Sequence, residues 1–401
     1  MRVLRIALVV PEKFFTMPEL YGGGIVRAYK IYVKQLSKNP FIKLRFYHYN
    51  PTSKVLYLVS LIRNLMSIIR EEVDVVASPC EVDLSMFFAM VLGIASRKPI
   101  VIVFNSVPLV GEVGYGLSSN EKEALKFMVN RCLRGKINFV CIIKSLLRYL
   151  FVRLIMFLAR LLKKQVTAIA VTPHIGEELR KRGLKVANIY PGNGVEVVWH
   201  KVGLSDKLYD ACYCASPVHV EKGLIDVLYI WYLVVRKIPN AKLVIAGRIR
   251  DDLSKNVIEE LTHKLGLNKN VVIQVSYDGL PREKVIELLA RCKVFIYPTR
   301  KDVWPLIVGE ALSVETPVVV YALPNIEYAY SWHPAVKLIR LGDVVKFAEE
   351  VIKILQNVNS ITTSINITKG EGFARKVLSW KRVTLLELKA IVEAIRAFRA
   401  S

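Results

Sequence analysis

Two carboxylates lie eight positions apart in the sequence and could both bind one ligand. They are Asp302 and Glu310, with Pro305 between them. They follow a strand-like run ending at Tyr297, so Asp302 is expected in a loop and Glu310 about one turn into a helix. Carboxylates accept hydrogen bonds from hydroxyl groups, so the pair suits a hydroxyl-rich ligand such as a nucleotide sugar. A helix-capping acid followed by a solvated glutamate would give the same pattern.

Two glycine-containing segments could bind phosphate. Gly22-Gly23-Gly24 follows the first predicted strand, and Lys222-Gly223 precedes a predicted helix. Glycine lets the backbone approach a ligand closely, the first amides of a helix attract anions, and the lysine adds a positive charge. Taken singly, each segment is equally well explained as an ordinary surface loop.

Short runs rich in Val, Ile and Leu alternate with helical stretches along the chain. These predicted strands and helices must position the carboxylates, glycines and lysine described above. Nearly continuous apolar strands are typical of parallel sheets covered by helices on both faces, so the pattern predicts doubly wound α/β sheets. The predicted strands are 5–10, 44–49, 73–77, 100–104, 168–172, 186–190, 208–215, 242–247, 271–275, 294–297 and 317–321. The predicted helices include 25–36, 145–164, 223–236, 282–290, 344–355 and 383–398.

The strand series restarts after the turn-like segment Pro191-Gly192-Asn193-Gly194. A chain of 401 residues is long enough for about two domains. We therefore expect an N-terminal α/β domain over 1–195 and a second over 196–377. Ligands of such folds lie at the carboxyl ends of strands, so a cleft between the domains is the expected site.

The composition indicates an anionic partner. The chain has 58 Lys and Arg against 34 Asp and Glu, a formal charge of +24. Nucleotide phosphates, nucleic acid and acidic lipid all fit this charge. No RNA-binding signature is present, and the charge lies beside apolar residues without interleaved stacking aromatics, so nucleic acid is not the expected partner.

The cysteines and histidines follow no metal-binding or redox spacing. The only close cysteine pair is Cys212 and Cys214, so we expect reduced thiols, no metal and a cytoplasmic protein. The apolar run 6–10 is too short for a signal peptide, and no stretch of 18 uncharged apolar residues predicts a transmembrane helix.

One predicted helix has the character of a membrane-surface element. Between Ala124 and Gly176 there are ten Lys or Arg residues and no Asp or Glu. Within this region, 145–164 reads as a helix with an apolar face flanked by basic residues, which suits anionic lipid. A core-facing helix with a solvated basic side is the alternative. The residues expected to face the membrane are Arg148, Phe151, Arg153, Phe157 and Arg160.

Taken together and in order, these motifs resemble the retaining GT-B glycosyltransferases of glycosyltransferase family 4. The matching segments are Gly22-Gly23, Asn193-Gly194-Val195-Glu196, Lys222-Gly223, Ile245-Ala246-Gly247, Asp302 to Glu310, and Ser379-Trp380. The resemblance implies two Rossmann-like domains facing a cleft, with the closing segment 378–401 returning to the first domain. It also implies sugar transfer with retention from a nucleotide sugar, without metal or another cofactor.

The resemblance assigns roles residue by residue. Glu310 would hold the donor's ribose hydroxyls, Asp302 would contact the transferred sugar and Lys222 would neutralise the diphosphate, so these three form the expected catalytic group. The acceptor would be a glycan or lipid-linked molecule, with the protein peripheral on the inner face of the cell membrane. The donor-binding residues would be Gly22, Gly23, Gly24, Lys222, Gly223, Asp302, Leu306 and Glu310.

At four positions the sequence departs from that family. Pro217 stands where an arginine is usual, Pro305 replaces a glycine, Asn105 follows the fourth strand where a histidine is frequent, and Asp302 is shorter than the usual glutamate. Arg248 or Arg300 could supply the missing cation. A non-catalytic relative that binds nucleotide or lipid is therefore the alternative. A glycoside hydrolase is not favoured, because no second flanking carboxylate is identified.

Overall fold

The structure, a computed structural model, describes most of the chain as two compact units. One unit contains the described residues up to Gly194 together with Trp380–Ser401, and the other contains those from Val195 to Ser379. The described residues are 3–16, 23–50, 54–80, 83–106, 108, 125–126, 129–130, 139–195, 207–249, 252–302, 304–357 and 378–401.

The first unit is built on a six-stranded parallel sheet with strand order β2-β1-β3-β4-β5-β6. Its central strands are buried along nearly their whole length, which explains why their sequences do not alternate between apolar and polar residues. The strands are β1 (Leu4–Pro11), β2 (Ile42–Tyr49), β3 (Val75–Ser78), β4 (Ile100–Phe104), β5 (Val166–Ala170) and β6 (Val186–Asn188).

The described helices that connect these strands are α1 (Gly23–Ala28), α2 (Lys54–Arg70), α3 (Asp83–Ser96), α4 (Phe139–Leu161) and α5 (Pro173–Lys181). The predicted helix 145–164 corresponds to α4, which begins six residues earlier than expected. The predicted helix 25–36 is not one α-helix, because π-helical Tyr29–Val33 and a 3₁₀ turn at Leu36–Lys38 follow α1.

The second unit has its own six-stranded parallel sheet, with strand order β12-β11-β10-β7-β8-β9. All eleven strands predicted from sequence are present in the two sheets, and β12 was missed because the exposed Lys337 interrupts its short apolar run. The strands are β7 (Tyr209–Val218), β8 (Leu243–Ile249), β9 (Val271–Ser276), β10 (Cys292–Tyr297), β11 (Val318–Tyr321) and β12 (Val336–Ile339).

Helices flank this second sheet as the β–α alternation predicts. They are α6 (Leu224–Val235), α7 (Asp252–Lys264), α8 (Arg282–Ala290), α9 (Leu306–Ser313), α10 (Pro324–Tyr330) and α11 (Val344–Gln356). Together the two parallel sheets and their helices form the α/β two-domain architecture expected from sequence.

The closing helix α12 (Trp380–Arg399) belongs to the first unit and is fixed there by a buried ion pair. An Arg27 guanidinium nitrogen lies 2.5 Å from a Glu387 carboxylate oxygen, and both side chains are almost fully buried. The Tyr32 hydroxyl donates to the other Glu387 oxygen at 2.6 Å. Residues five apart face different directions on an α-helix, so the wider π-helical turn explains how Arg27 and Tyr32 reach the same carboxylate.

The cysteines only partly match the expectation of reduced thiols. Cys80, Cys212, Cys214 and Cys292 are free and buried, whereas Cys141 is disulfide-bonded. In the part of the chain that the structure describes, no helix is long and apolar enough to cross a membrane.

Candidate functional site

The predicted lysine and aspartate meet at the carboxyl edge of the second sheet. Lys222 lies in a 3₁₀ turn, Val220–Lys222, directly after β7, and Asp302 follows β10, the neighbouring strand. The Lys222 ammonium donates to an Asp302 carboxylate oxygen at 2.7 Å and to the Lys301 carbonyl at 2.9 Å. Carboxyl ends of parallel strands share one edge of the sheet, which is why residues 80 positions apart come into contact.

Gly223 lets the backbone of this turn lie against the end of β10. Its φ is +82°, and a Cβ there would lie 1.9 Å from the Pro298 carbonyl oxygen. Any side chain would therefore push the Lys222 turn away from Asp302. Gly247, the end of the Ile245-Ala246-Gly247 motif, is constrained similarly, because its Cβ would lie 2.0 Å from the Ala215 carbonyl oxygen.

Two tyrosines beneath the pair were not predicted. The Tyr297 hydroxyl donates at 2.9 Å to the same Asp302 oxygen that Lys222 contacts, and the Tyr213 hydroxyl donates at 3.0 Å to the Lys222 carbonyl. Their rings stack with centroids 6.3 Å apart. Burial, and then the Asp302 charge, raise the pKa of Tyr297 well above its ordinary value, so it stays a neutral donor. Tyr297 could have been identified from the sequence as a residue near the site, because it is the last residue of a predicted strand.

Arg300 forms an ion pair with a different carboxylate, that of Asp226. Its guanidinium donates to both Asp226 carboxylate oxygens, at 2.9 and 3.0 Å, and the Tyr321 hydroxyl donates to Asp226 at 3.0 Å. Hydrogen bonding to Asp226 raises the pKa of Arg300. Arg248, at the carboxyl end of β8, is exposed and has no ion pair among the described residues, so it is the freer of the two arginines considered as a substitute cation.

Glu310 lies inside α9 and is almost completely buried, with 1% exposure. One of its carboxylate oxygens forms an ion pair with Arg282, the first residue of α8, which sequence reasoning missed. The other oxygen, Oε2, has no hydrogen-bond partner among the described residues. A buried carboxylate oxygen without a partner calls for an explanation, and one explanation is that it accepts a hydrogen bond from a ligand hydroxyl.

The loop between Asp302 and α9 is anchored by aromatic residues. The buried Trp304 ring lies 6.2 Å from the Tyr330 ring, whose hydroxyl donates to the Pro305 carbonyl at 3.1 Å. Pro305 caps α9 and Leu306 is its first residue, so the Leu306 amide is one of the first-turn donors that a helix leaves unpaired. Pro305 has no amide hydrogen to donate, but the amide of the next residue, Leu306, is still present as a donor at the start of α9.

The glycine segment of the first unit is only partly described. Gly23 and Gly24 begin α1, whereas Gly22 lies outside the described residues. Asn105 directly follows β4, at the carboxyl edge of the first sheet. Of the residues predicted to bind the donor, the structure brings Lys222 and Asp302 into direct side-chain contact.

Most of the predicted membrane-facing residues are exposed on α4. Arg148, Arg153, Phe157 and Arg160 are open to solvent, but Phe151 is half-buried, with its ring 5.5 Å from that of Phe87 in α3. Across the described ranges, no group of three His, Cys, Asp or Glu side chains is arranged to hold a metal ion.

The fold and part of the sequence are similar to known glycosyltransferases. Residues 201–362 match the sequence model of the family described as glycosyl transferases group 1. Sucrose-phosphate synthase from Thermosynechococcus elongatus superposes with a TM-score of 0.68 at 13% identity, covering 99% of this chain and 100% of that one. Curated proteins include no match to this sequence.

Two further solved structures share the fold. Anabaena HepE in complex with UDP and glucose has a TM-score of 0.65 at 12% identity, covering 97% of this chain and all of its own. The apo form of WaaB, a lipopolysaccharide outer core galactosyltransferase, has a TM-score of 0.57 at 15% identity, covering 96% and 100%. This protein therefore has the GT-B glycosyltransferase fold, and residues 201–362 carry the pattern of glycosyl transferases group 1.

Proposed function

We propose that this protein transfers a sugar, with retention, from a nucleotide sugar to a lipid-linked or membrane-proximal acceptor. The observation that carries the proposal is the contact between Lys222 and Asp302 at the carboxyl edge of the second sheet. The group 1 match covers both residues, and the related fold of HepE is found with UDP and with UDP-glucose.

Each of the three predicted catalytic residues binds a different part of the donor. The free oxygen of Glu310 accepts from the ribose hydroxyls, and the Leu306 amide donates to a phosphate oxygen at the start of α9. Lys222 neutralises the diphosphate. Once phosphate oxygens occupy the ammonium, Asp302 becomes available to accept from hydroxyls of the transferred sugar while Tyr297 keeps its carboxylate in place.

The chemical step needs charge stabilisation more than a protein nucleophile. The bond from the sugar C1 to the diphosphate oxygen breaks, and the acceptor oxygen bonds to C1 from the same face. The acceptor proton passes to the departing phosphate oxygen, which balances the step. Negative charge grows on the diphosphate as it leaves, and the Lys222 ammonium stabilises that charge. We propose that no metal ion is required.

The acceptor side of the proposal rests on α4. Its exposed basic residues, Arg148, Arg153 and Arg160, are suited to the negatively charged cytoplasmic leaflet, where lipid-linked acceptors would be presented. We therefore place the protein peripherally on the inner face of the membrane, with no role for nucleic acid.

A non-catalytic relative that binds nucleotide or lipid is the second candidate. It is favoured by Pro217, which leaves the usual diphosphate arginine absent, and by Arg300, whose guanidinium is occupied by Asp226. Such a protein would bind the nucleotide through Lys222 without turning over the donor.

Donor turnover separates the two candidates. Purified protein would be tested for transfer and hydrolysis with UDP-, GDP- and ADP-sugars, with and without anionic liposomes. Turnover of one donor that Glu310→Ala abolishes and Glu349→Ala, a change at an exposed glutamate of α11, preserves would support the enzyme. Binding of a nucleotide sugar without turnover of any donor would refute catalysis and favour the binding protein.

A further inference from the structure

Helix α4 carries an apolar stripe on the side that faces away from the protein. Its buried residues are Tyr149, Val152, Ile155 and Ala159. At about 100° per residue, the outer side chains lie within roughly 40° of one line on the opposite side of the helix. They are spaced alternately four and three apart, and all are at least half exposed: Ile143, Leu147, Leu150, Leu154, Phe157 and Leu161.

Helix α2 shows the same arrangement, which no sequence motif had indicated. Its inner residues Tyr57, Leu61 and Leu65 pack against the core cluster around Ile68. The outer residues again repeat with alternating spacings of four and three, and are exposed by half or more: Val55, Val59, Ile62, Met66 and Ile69. A helix packed on a sheet needs only one apolar side, so packing within the described residues does not account for the outer stripe of either helix.

The two stripes lie on one face of the first unit. The successive crossovers β2–β3, β3–β4 and β4–β5 run in the same direction across the sheet, and right-handed crossovers then place α2, α3 and α4 on the same side. Helix α3 lies between the other two: the Phe88 ring is 5.5 Å from Tyr57 of α2, and the Phe87 ring is 5.5 Å from Phe151 of α4. It adds the exposed Ile94.

This three-helix face, the outer surface of α2, α3 and α4, is unusually apolar for a protein surface. More than half of the exposed large apolar side chains among the described residues lie on it. Contiguous apolar surface on this scale marks an interaction site. The charges indicate an anionic partner, because neither α2 nor α4 contains an Asp or Glu. Exposed basic residues border both stripes. Those residues are Arg63 and Arg70 on α2, and Lys144, Arg153 and Arg160 on α4.

We propose that the three-helix face binds an anionic lipid bilayer, with α2 as a second anchor beside α4. The apolar stripes enter the boundary between headgroups and acyl chains, and the bordering arginines reach the lipid phosphates. A second copy of the chain is a poorer partner, because pairing this face with itself places like charges opposite each other. The proposal extends the acceptor side of the proposed function, but it does not depend on donor chemistry.

Flotation with vesicles tests the proposal without donor or acceptor. The vesicles are phosphatidylcholine alone, or equal parts of phosphatidylcholine and phosphatidylglycerol. The α2 variant is Val59→Gln with Ile62→Gln and Met66→Gln, and the α4 variant is Leu147→Gln with Leu150→Gln and Leu154→Gln. The matched control changes three equally exposed apolar residues elsewhere: Leu253→Gln with Val345→Gln and Leu385→Gln.

Wild-type protein should bind the anionic vesicles far more tightly than the neutral ones. Each of the two helix variants should lower the partition coefficient about tenfold or more, and the control variant should not. Arg63→Gln alone should lower it roughly fivefold, with weaker salt dependence. Circular dichroism melts matching wild type would show that both helix variants remain folded.

Three results would overturn the proposal: an α2 variant that binds like wild type, equal binding to both vesicle types, or a lipid-free dimer that both helix variants convert to monomer in sedimentation. A second measurement covers any variant that fails to fold. Brominated phosphatidylglycerol should quench the added fluorescence of Ile62→Trp but not that of Leu253→Trp, and equal quenching would count against α2. Loss of vesicle binding with retained donor turnover would leave the proposed sugar transfer standing.

Discussion

The Lys222 ammonium and the Asp302 carboxylate, 80 residues apart in sequence, form an ion pair with 2.7 Å between Nζ and Oδ2. The contact joins two residues that sequence reasoning assigned to different parts of a donor, the diphosphate and the transferred sugar. In the pair each charge neutralises the other, so under the proposed function a diphosphate would compete with Asp302 for the ammonium. Phosphate binding at Lys222 would then make the Asp302 carboxylate available to another ligand group.

Lys222→Met should lower kcat/KM for the donor by about 10² to 10³, because one preorganised charge facing the leaving diphosphate is lost. Lys222→Arg should retain part of the activity, since it keeps the charge with different geometry. Steady-state kinetics with the donor identified in the panel would measure both. Lys346→Met, at an exposed lysine of α11, is the matched control, and equal rates for it and Lys222→Met would contradict the assigned role.

Tyr297→Phe removes only the hydroxyl that donates to Asp302. A hydrogen bond to a charged group contributes about 1.5–3 kcal/mol, so kcat should fall at least about tenfold. Because Tyr297 acts through Asp302, kcat should change more than the KM for donor. Tyr209→Phe is the control, since that hydroxyl accepts from Gln274 away from the pair. A changed KM with an unchanged kcat would argue against a positioning role.

Glu387→Gln should destabilise the first unit by about 3–5 kcal/mol, because it leaves the buried Arg27 charge without a counter-ion. The double variant Arg27→Met with Glu387→Leu should recover much of that loss, as both charges are then gone. Urea unfolding measures the difference. Glu349→Gln breaks an exposed pair with Lys346 and should change stability by less than about 0.5 kcal/mol. Similar losses in both single variants would contradict the argument.

Stability should fall on acidification in part through His333. Burial lowers the pKa of this imidazole, and its Nδ1 accepts from the Ala335 amide at 3.2 Å, so the folded state favours the neutral form. A depressed histidine pKa means that the unfolded state binds the proton first. The contribution is full above about pH 6.5 and is lost as pH falls through the folded pKa, at up to about 1.4 kcal/mol per pH unit.

Comparing urea unfolding of wild type and His333→Asn at pH 7 and at pH 5 isolates this contribution. The asparagine oxygen can still accept from the Ala335 amide but does not titrate, so the variant should lose less stability on acidification. Burial also lowers the pKa of His48, which contributes equally to both proteins. An identical pH dependence in the two proteins would show that His333 is not responsible.

Donor turnover should be unaffected by EDTA. The resemblance to metal-independent GT-B enzymes and the Lys222 ammonium beside Asp302 lead to this expectation. Addition of Mg²⁺ or Mn²⁺ after EDTA treatment should likewise leave kcat unchanged. Restoration of activity by either ion would mean that a cation shares the role given to Lys222.

The architecture of each unit, and the placement of Lys222 and Asp302 at the carboxyl edge of the second sheet, could be predicted from local sequence patterns. Runs such as 100–104 and 294–297 are continuously apolar, which is a local signal that needs no knowledge of distant residues. Lys222-Gly223 and Asp302 each follow such a run, so their placement at strand ends was predictable. Strand β12 was not predicted because Lys337 interrupts its apolar run and removes that local signal.

Which side chains meet depends on how distant parts of the chain pack against each other. The contacts of Tyr297 with Asp302, Arg282 with Glu310 and Arg300 with Asp226 join residues whose partners no local pattern names. The outer stripe of α2 was hidden for a related reason. A helix that is apolar on two opposite sides shows weak contrast in sequence, and only packing against the sheet shows which side is left open.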